Sequence, residues 1–451
     1  MSDHTCISTT PVPPVVEAEV GKPARLWSKN YLLLWQGQFV SRLGNQAFNV
    51  ALLFWLKHTT GSATLMGFIS MVSSIPALLL ISVGGAIADR YSRRNIIILC
   101  DLFAGLAVLS LAFLLLLAPG ATGLAIVWLF VVSIVLAVIS SFFAPAISAA
   151  IPDLVPRERL AAANSMGQFS EQFTLFIGQG LGGTLYRLLG APILFLIDGL
   201  TFLFSAVSET FITIPQPVRK PSSNWRQRLR EFRHDLAEGF QYVWHTAGLK
   251  GLVMVSAVNN FFSVPILLLL PFYVEDFLQV KVDWYGFLLA AFGMGSLLGS
   301  GIAGMCRPSG WTRARLMMLV MLLDALFYGL LAVVRLPLAA LALAFLSGAA
   351  GGFFAINTTT LIQMTTPSQI RGRIFGLLGT IAGSITPLAL GLSGVVADLT
   401  GKNIPLIYLT CSGALLVLAL VVISRREIRE FLACELAAEG TPAPAEARSP
   451  V

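Results

Sequence analysis

Two ionisable side chains stand deep inside apolar stretches, and each belongs to a polar stripe. Arg42 lies in the run 31–57 with Gln38, Asn45, Gln46 and Asn49 at helical spacing on one face. Glu171 lies in the run 160–190 with Asn164, Gln168, Gln172 and Gln179, again on one face. A guanidinium keeps its charge, whereas a carboxyl can take up a proton. An Arg–Glu pair whose separation changes can therefore bind and release a proton. Arg42 is eleven residues beyond Tyr31, about 16 Å along a helix at 1.5 Å per residue, too deep for easy snorkelling. A charge at that depth costs at least about 2.5–3.5 kcal/mol and needs a partner. Glu171 is the carboxylate expected to supply it, with a static salt bridge as the alternative.

Further stripes run through 249–276 (Ser256, Asn259, Asn260, Ser263) and 337–365 (Asn357, Thr360). A lone amide or hydroxyl often glues helices together, at about 0.6–2 kcal/mol each. Five polar positions on one face point instead to a cavity. Gln38, Asn45, Gln46, Asn49, Gln168, Gln172, Gln179, Asn259, Asn260, Ser263, Asn357 and Thr360 are the candidate cavity residues. The acids Asp101, Asp198, Glu209 and Asp324 are expected to be paired structurally or solvated near loops, with Asp101 joining the network around Asp89. Asp324 is retained as a second protonation candidate.

Enzyme chemistry finds little support. None of His4, His58, His234 and His245 lies inside an apolar run. Gly401-Lys402 is followed by Asn403, and Val396 stands where a phosphate loop needs glycine. No HExxH or acidic metal cluster occurs, and the five cysteines show neither disulfide nor zinc spacing. No catalytic residue, metal site or cofactor is expected.

The elements that must position these residues follow from composition. Hydrophobic residues make up 56% of the 451 and charged residues 12%, about half the usual share for a soluble chain, so the apolar surface must meet lipid. Twelve runs are long enough to cross a bilayer: 31–57, 62–88, 95–118, 123–151, 160–190, 192–214, 249–276, 284–306, 314–334, 337–365, 372–399 and 404–424. With the N-terminus inside, the inner segments hold 24 Lys and Arg and the outer ends five (Lys57, Arg187, Lys281, Arg335, Lys402). That split puts both termini in the cytoplasm and accounts for the net charge of +7 without a nucleic-acid partner.

The expected organisation is an all-α membrane protein of two six-helix bundles, 31–214 and 249–424. A disordered cytoplasmic tail (1–30) and a second cytoplasmic tail (425–451) flank them, with no signal-peptide pattern at the start. The basic linker 215–248 is expected to carry an amphipathic helix with Trp225, Leu229, Phe232 and Leu236 on one side. The halves look duplicated. A shift of 211 positions aligns Phe142–Phe143–Ala144 with Phe353–Phe354–Ala355 and Pro156 with Pro367. It also aligns Gly180, Leu181, Gly183, Leu188 and Gly190 with Gly391, Leu392, Gly394, Leu399 and Gly401. Two related halves suggest alternating access by rocking one against the other.

After the second run comes Gly85-Ala-Ile-Ala-Asp89-Arg90-Tyr-Ser92-Arg93-Arg94, which resembles the major facilitator loop signature, with Ser92 where glycine is usual. The second half lacks the Asp-Arg pair, with Gly304 and Met305 in its place. Trp35-x-Gly37-Gln38-x-Val40-Ser41, Gly61-Ser62-Ala63, Pro145-Ala146, Leu154-Val155-Pro156 and Gly372-Arg373-Ile374-Phe375-Gly376 narrow the likeness. Together they are similar to the macrolide-efflux and siderophore (enterobactin-type) exporter branch of the proton-coupled drug antiporters, over about residues 25–425. Gly178-Gln179-Gly180-Leu181-Gly182-Gly183 is similar to the antiporter signature, with Gln179 in place of its proline.

The resemblance implies that spans 1, 4, 7 and 10 line a central cavity, flanked by 2, 5, 8 and 11. It also implies a cytoplasmic gate of Gly85, Asp89, Arg90, Arg93 and Arg94 against Arg371 and Arg373, joined when the inner side closes. The expected activity is proton-coupled efflux of an amphipathic small molecule by a monomer in the bacterial inner membrane. A lipid or lysophospholipid flippase of the same superfamily is the alternative. The charge split makes a direct prediction. Cysteines introduced at 120 or 281 should react with an impermeant thiol reagent in intact cells, and one at 222 should not; labelling at 222 would overturn the orientation.

Overall fold

Lipid offers backbone amides no partner, so each apolar run must close its own hydrogen bonds, and helices result. The structure is a computed structural model that describes residues 28–214, 240–366 and 368–434. Residues 1–27 and 435–451 of the tails, the expected amphipathic helix of the linker and Pro367 lie outside the described residues. Among those described, every regular element is helical.

The first four helices are α1 (Lys29–Thr60), α2 (Ala63–Arg90), α3 (Arg93–Leu117) and α4 (Thr122–Leu154). Serines start three of them: Ser28, Ser62 and Ser92 accept hydrogen bonds from the backbone N–H of Tyr31, Leu65 and Asn95. Leu160–Thr210 comes next; as one straight helix its 51 residues would run about 76 Å at 1.5 Å per residue, far beyond a core of about 30 Å. It breaks where Gly190 takes φ 73°, open to glycine at no steric cost, and Pro192 starts the next turn. The arms, 160–189 and 191–210, are α5 and α6.

The remaining helices are α7 (Ala247–Leu268), α8 (Asp283–Cys306), α9 (Gly310–Leu331), α10 (Pro337–Thr365), α11 (Ser368–Leu399), α12 (Ile404–Ser424) and the short α13 (Arg426–Leu432). One sequence expectation is revised here. The run 249–276 is not one helix, because α7 stops at Leu268. A short turn, Leu270–Phe272, and a π-helical turn, Tyr273–Phe277, continue it. Among the described residues nine helices are long and apolar enough to cross a membrane, Leu160–Thr210 being one of them. α1 is not, since Gln36, Gln38, Arg42, Asn45, Gln46 and Asn49 dilute its apolar residues.

Helices α1–α6 pack on one another, as do α7–α12, and two seams join the sets. In one seam α5 meets α8. A Cβ on Gly286 would meet the carbonyl oxygen of Gly180, and one on Gly183 would meet that of Val282. In the other, α2 meets α11. A Cβ on Gly67 would meet the Leu390 carbonyl oxygen, and one on Gly394 that of Ala63. Backbones can come this close only where side chains are absent. The glycines aligned by the 211-residue shift thus serve corresponding seams: Gly180 and Gly183 against α8, Gly391 and Gly394 against α2.

Both seams lie at the end that carries residues 57–71 and 390–398. Away from it α5 and α8 diverge, leaving a gap of about 40 Å³ between Gln172 and Leu297. Beyond the gap Phe169 is 58% exposed. Gly67→Leu would overpack the α2–α11 seam, at a cost of about 1–3 kcal/mol, a shift of roughly 5–150-fold toward a form parted at this end. Spin labels at Gly120 and Leu336, one loop in each set, should then report longer distances. An unchanged distance distribution would count against the seam as the closing contact.

Candidate functional site

An open cavity of about 460 Å³ lies within the first six helices. α1 contributes Gln38, Ser41, Arg42, Asn45 and Gln46, α3 Asp101, α4 Phe143 and Ser148, α5 Glu171 and α6 Phe202. The pair expected from sequence is therefore brought together on one cavity wall. Arg42 Nη1 and Glu171 Oε2 are 3.9 Å apart, with side chains 38% and 61% exposed. At that distance the contact is an ion pair without a hydrogen bond. Exposed pairs of this kind contribute about 0–1 kcal/mol, so it opens at little cost. Weakness is what a switching pair requires.

The α1 stripe divides in two. Arg42, Asn45 and Gln46 face the cavity, and Asn49 donates to Asn45 Oδ1 at 3.2 Å. Gln46 Oε1 also accepts from Gln179 Nε2 at 3.1 Å, bridging α1 to α5. Gln38, also on the cavity wall, turns its amide into the core. It donates to Glu209 Oε1 at 2.9 Å, Ser205 Oγ at 3.4 Å and Asp101 Oδ2 at 3.5 Å. Asp101, Asp198 and Glu209 are 2%, 0% and 1% exposed. They are buried rather than solvated at loops, and Asp101 shares its amide donor with Glu209 of α6, which corrects the sequence expectation. The signal that could have found this cluster is the spacing of Asp198, Ser205 and Glu209 on one face of an otherwise apolar helix.

Other expected cavity residues are dispersed. Gln168 and Thr360 are exposed outside the large cavity, and Gln172 lines the small gap beside α8. Asn260 Oδ1 accepts from Thr386 Oγ1 at 2.9 Å, gluing α7 to α11. Asn357 donates to the Phe353 carbonyl of its own helix at 2.9 Å. Asn259 and Ser263 are half-buried on α7 and do not line the large cavity. Asp324 accepts from Ser347 between α9 and α10, away from that cavity. In the loop signature, Asp89 and Arg90 stand exposed at the end of α2. Arg93 donates to the Ala149 carbonyl and pairs with Asp153 of α4, and Arg94 donates to the Thr210 carbonyl of α6. Both arginines thus fasten α3 to helices of its own set. Gly85 has open space where a Cβ would stand, and Arg371 donates to the Thr366 carbonyl at 3.3 Å. Arg373 is half-buried on α11.

A second polar centre, unforeseen from sequence, closes the far end. Lys57 of α1 is only 7% exposed. Its ammonium donates to Glu275 at 2.6 Å, Asp276 at 2.9 Å and the Pro271 carbonyl at 3.2 Å. His58 lies 2.9 Å from Glu275 Oε2 through Nε2 and 2.9 Å from the Tyr186 hydroxyl through Nδ1. Arg187 pairs with Asp283 at 3.0 Å. Asp398 of α11 accepts from the N–H groups of Ala63 and Thr64 (3.1 and 2.9 Å) and the Ser62 hydroxyl (2.8 Å), a carboxylate seated on the positive end of α2. Partial burial pulls the Glu275 carboxyl upward. Hydrogen bonds from His58 and Lys57, and their charges, outweigh it and hold the group below its usual range.

Residues 21–448 match the family described as transmembrane secretion effector. The chain is 25% identical over 413 residues to macrolide efflux protein A of Streptococcus pyogenes, covering 90% of this chain and 98% of that one. It is 26% identical over 409 residues to the multidrug efflux pump Tap of Mycolicibacterium fortuitum, covering 89% and 96%. Among solved structures, a bacterial homolog of the human lysosomal transporter Spinster, inward-facing and unoccupied, superposes with TM-score 0.65 at 16% identity, over 90% of this chain and 98% of that chain. A D-xylose-proton symporter gives 0.65 at 15%, over 88% and 97%.

Glu275→Gln should loosen the far end by about 1.5–3 kcal/mol, the usual worth of a hydrogen bond to a charged group. Acid should act in the same direction. Glu275 is held below its ordinary value of 4.5, so its contribution is complete above that pH and is lost as pH falls through the lower value. The Gly120–Leu336 label pair should lengthen in Glu275→Gln at neutral pH and in the wild type only under acid. No change in either case would remove the cluster as a closing device.

Proposed function

Because the chain belongs to the transmembrane secretion effector family of major facilitator transporters, we propose that it exports amphipathic small molecules by proton-coupled alternating access. It is a multi-pass membrane transporter rather than an enzyme, and its relatives include efflux pumps. The observation that carries the finer reading is the weak Arg42–Glu171 pair on the wall of a cavity in a molecule clamped at its other end. A cavity of about 460 Å³ falls within the size range of small-molecule sites, and its lining mixes amides with Phe143 and Phe202. That lining suits a macrolide-like drug, a siderophore or another natural product better than an ion.

By the Lys and Arg split, the clamped end is extracellular and the cavity faces the cytoplasm in this state. Twelve spans, with both termini cytoplasmic, form two bundles (31–214 and 249–424) that rock about the cavity, and the protein acts as a monomer. The cytoplasmic end closes when Asp89 at the end of α2 meets the start of α11 with Arg371 and Arg373. Rocking changes how much water reaches the wall that carries both Arg42 and Glu171, so Glu171 holds a proton more firmly in one state than in the other. Protonation from outside and release inside then drive substrate outward. One proton crossing about 100 mV releases roughly 2.3 kcal/mol, enough for about a 50-fold substrate gradient.

Glu171→Gln fixes the neutral form. It should still bind substrate and exchange it downhill but lose pH-gradient-driven uptake into everted vesicles. Arg42→Ala should be worse, because it leaves the carboxylate without its switching partner. Full gradient-driven uptake by Glu171→Gln would exclude Glu171, and Asp324 would be tested next.

A further inference from the structure

The cavity wall carries an ionisable centre that neither the Arg42–Glu171 pair nor the closing cluster uses. Asp101 and Glu209 come from α3 and α6, and Gln38 of α1 offers one amide nitrogen to both and to Ser205. All three of Asp101, Asp198 and Glu209 are at least 98% buried. Among the described residues no Lys or Arg forms an ion pair with any of them. Glu209 Oε2 and both carboxyl oxygens of Asp198 are buried without a hydrogen-bond partner. Asp198 Oδ1 sits against α1, 2.7 Å from where a Cβ on Gly44 would stand.

The other titratable and charged groups facing this cluster are few. Arg42 of α1 and Glu171 of α5 share the cavity wall. Cys100 adjoins Asp101 on α3, and Arg94 at the start of α3 donates to the carbonyl of Thr210, next to Glu209. From α4 the cavity lining contributes hydroxyls, Ser140 and Ser148, and no charge. Two anions sharing one donor in such surroundings repel and stay desolvated, and a single proton between them removes the repulsion and one of the two buried charges. Asp101 and Gln38 line the cavity, whereas Glu209 does not. One carboxyl therefore meets cavity water while its neighbour stays behind it.

We infer that Asp101 and Glu209, bridged by Gln38, form a proton-holding site that exchanges with cavity water through Asp101. On uptake, a hydronium ion in the cavity loses an O–H bond and one forms on the Asp101 carboxylate; release reverses the step. Closing the cavity at the cytoplasmic end shuts Asp101 off from the inner water, so the site releases its proton inward only while the cavity is open there. The site deepens the proton-coupled reading and rests on it, and it is distinct from Glu171.

The test measures bound protons directly, apart from transport. The full chain in lipid nanodiscs, without substrate, is titrated with pH while infrared difference spectra follow the carboxylic acid C=O stretch. In wild type a carboxylic band should disappear as pH rises. It should be missing in Asp101→Asn and in Glu209→Gln, two near-isosteric changes, and persist in Glu171→Gln. A wild type without the band, or a band unchanged in both cluster variants, would overturn the site. Uptake into everted vesicles is read in parallel. Wild-type accumulation that ignores an imposed pH gradient would sink proton coupling itself, with the infrared result still reporting whether the cluster binds the proton.

Discussion

The closed end is organised around one buried ammonium. Lys57 has left water almost completely, and an unpaired cation there would cost several kcal/mol in desolvation. Its partners all come from the segment after α7, so the first six helices cannot satisfy it alone. This explains the local geometry of that segment. In a regular α-helix adjacent residues point about 100° apart, yet Glu275 and Asp276 both reach Lys57 Nζ. The π-helical turn Tyr273–Phe277 widens the helix where this happens, a distortion that tends to mark functional positions. Phe272 adds its ring at 5.1 Å from the same nitrogen. With this end held, the two glycine seams stay in register and the helices are free to diverge toward the other.

Such a closure must also come apart. Much of its strength is carried by hydrogen bonds to charged groups near water: Glu275 is 20% exposed, Asp276 53% and Arg187 43%. Partners this close to solvent can be rehydrated when the seams part, so the transition exchanges protein contacts for water contacts. A buried apolar interface of equal size would offer no such exchange. The two seams also show how a duplicated chain solves one problem twice. Arg187 and Asp398 stand at equivalent positions under the 211-residue shift, with opposite charges. Arg187 reaches the carboxylate that begins α8, and Asp398 supplies the carboxylate at the start of α2. In both cases a helix N-terminus gains a negative group, from its own sequence in one and from across the seam in the other.

Much of this was legible in the residues because it depends on local pattern. Apolar runs fixed where helices form, Gly190 and Pro192 marked a break, and the stripes on α1 and α5 brought Arg42 to Glu171. The rest depends on how helices are rotated against one another. Helical spacing places Gln38 on the same stripe as Arg42, but it does not say that one amide turns toward α6 while its neighbour on the stripe faces an open space. Likewise Lys57 and Glu275 lie 218 positions apart, and nothing local to either predicts their contact. The early end of α7 was missed for the same reason, since composition alone continues the run through Pro271 to Asp276.

The two halves are also chemically unequal. On α7 and α10, Asn260 bonds Thr386 of α11 and Asn357 bonds its own helix. Gln38, Ser41, Arg42, Asn45 and Gln46 of α1 and Glu171 and Thr174 of α5 line the cavity, and the ionisable groups beside it, Arg42, Asp101 and Glu171, all belong to the first six helices. A transporter with charges on both facing walls must strip or bridge them each time it closes. One that keeps its titratable groups on a single wall can change their water contact without breaking a charge pair across the cavity. If export is proton-coupled, as proposed, the first half carries the proton chemistry. In this state, among the described residues, the charge pairs between the two sets of helices lie at the far end, where Lys57, His58 and Arg187 meet their carboxylates.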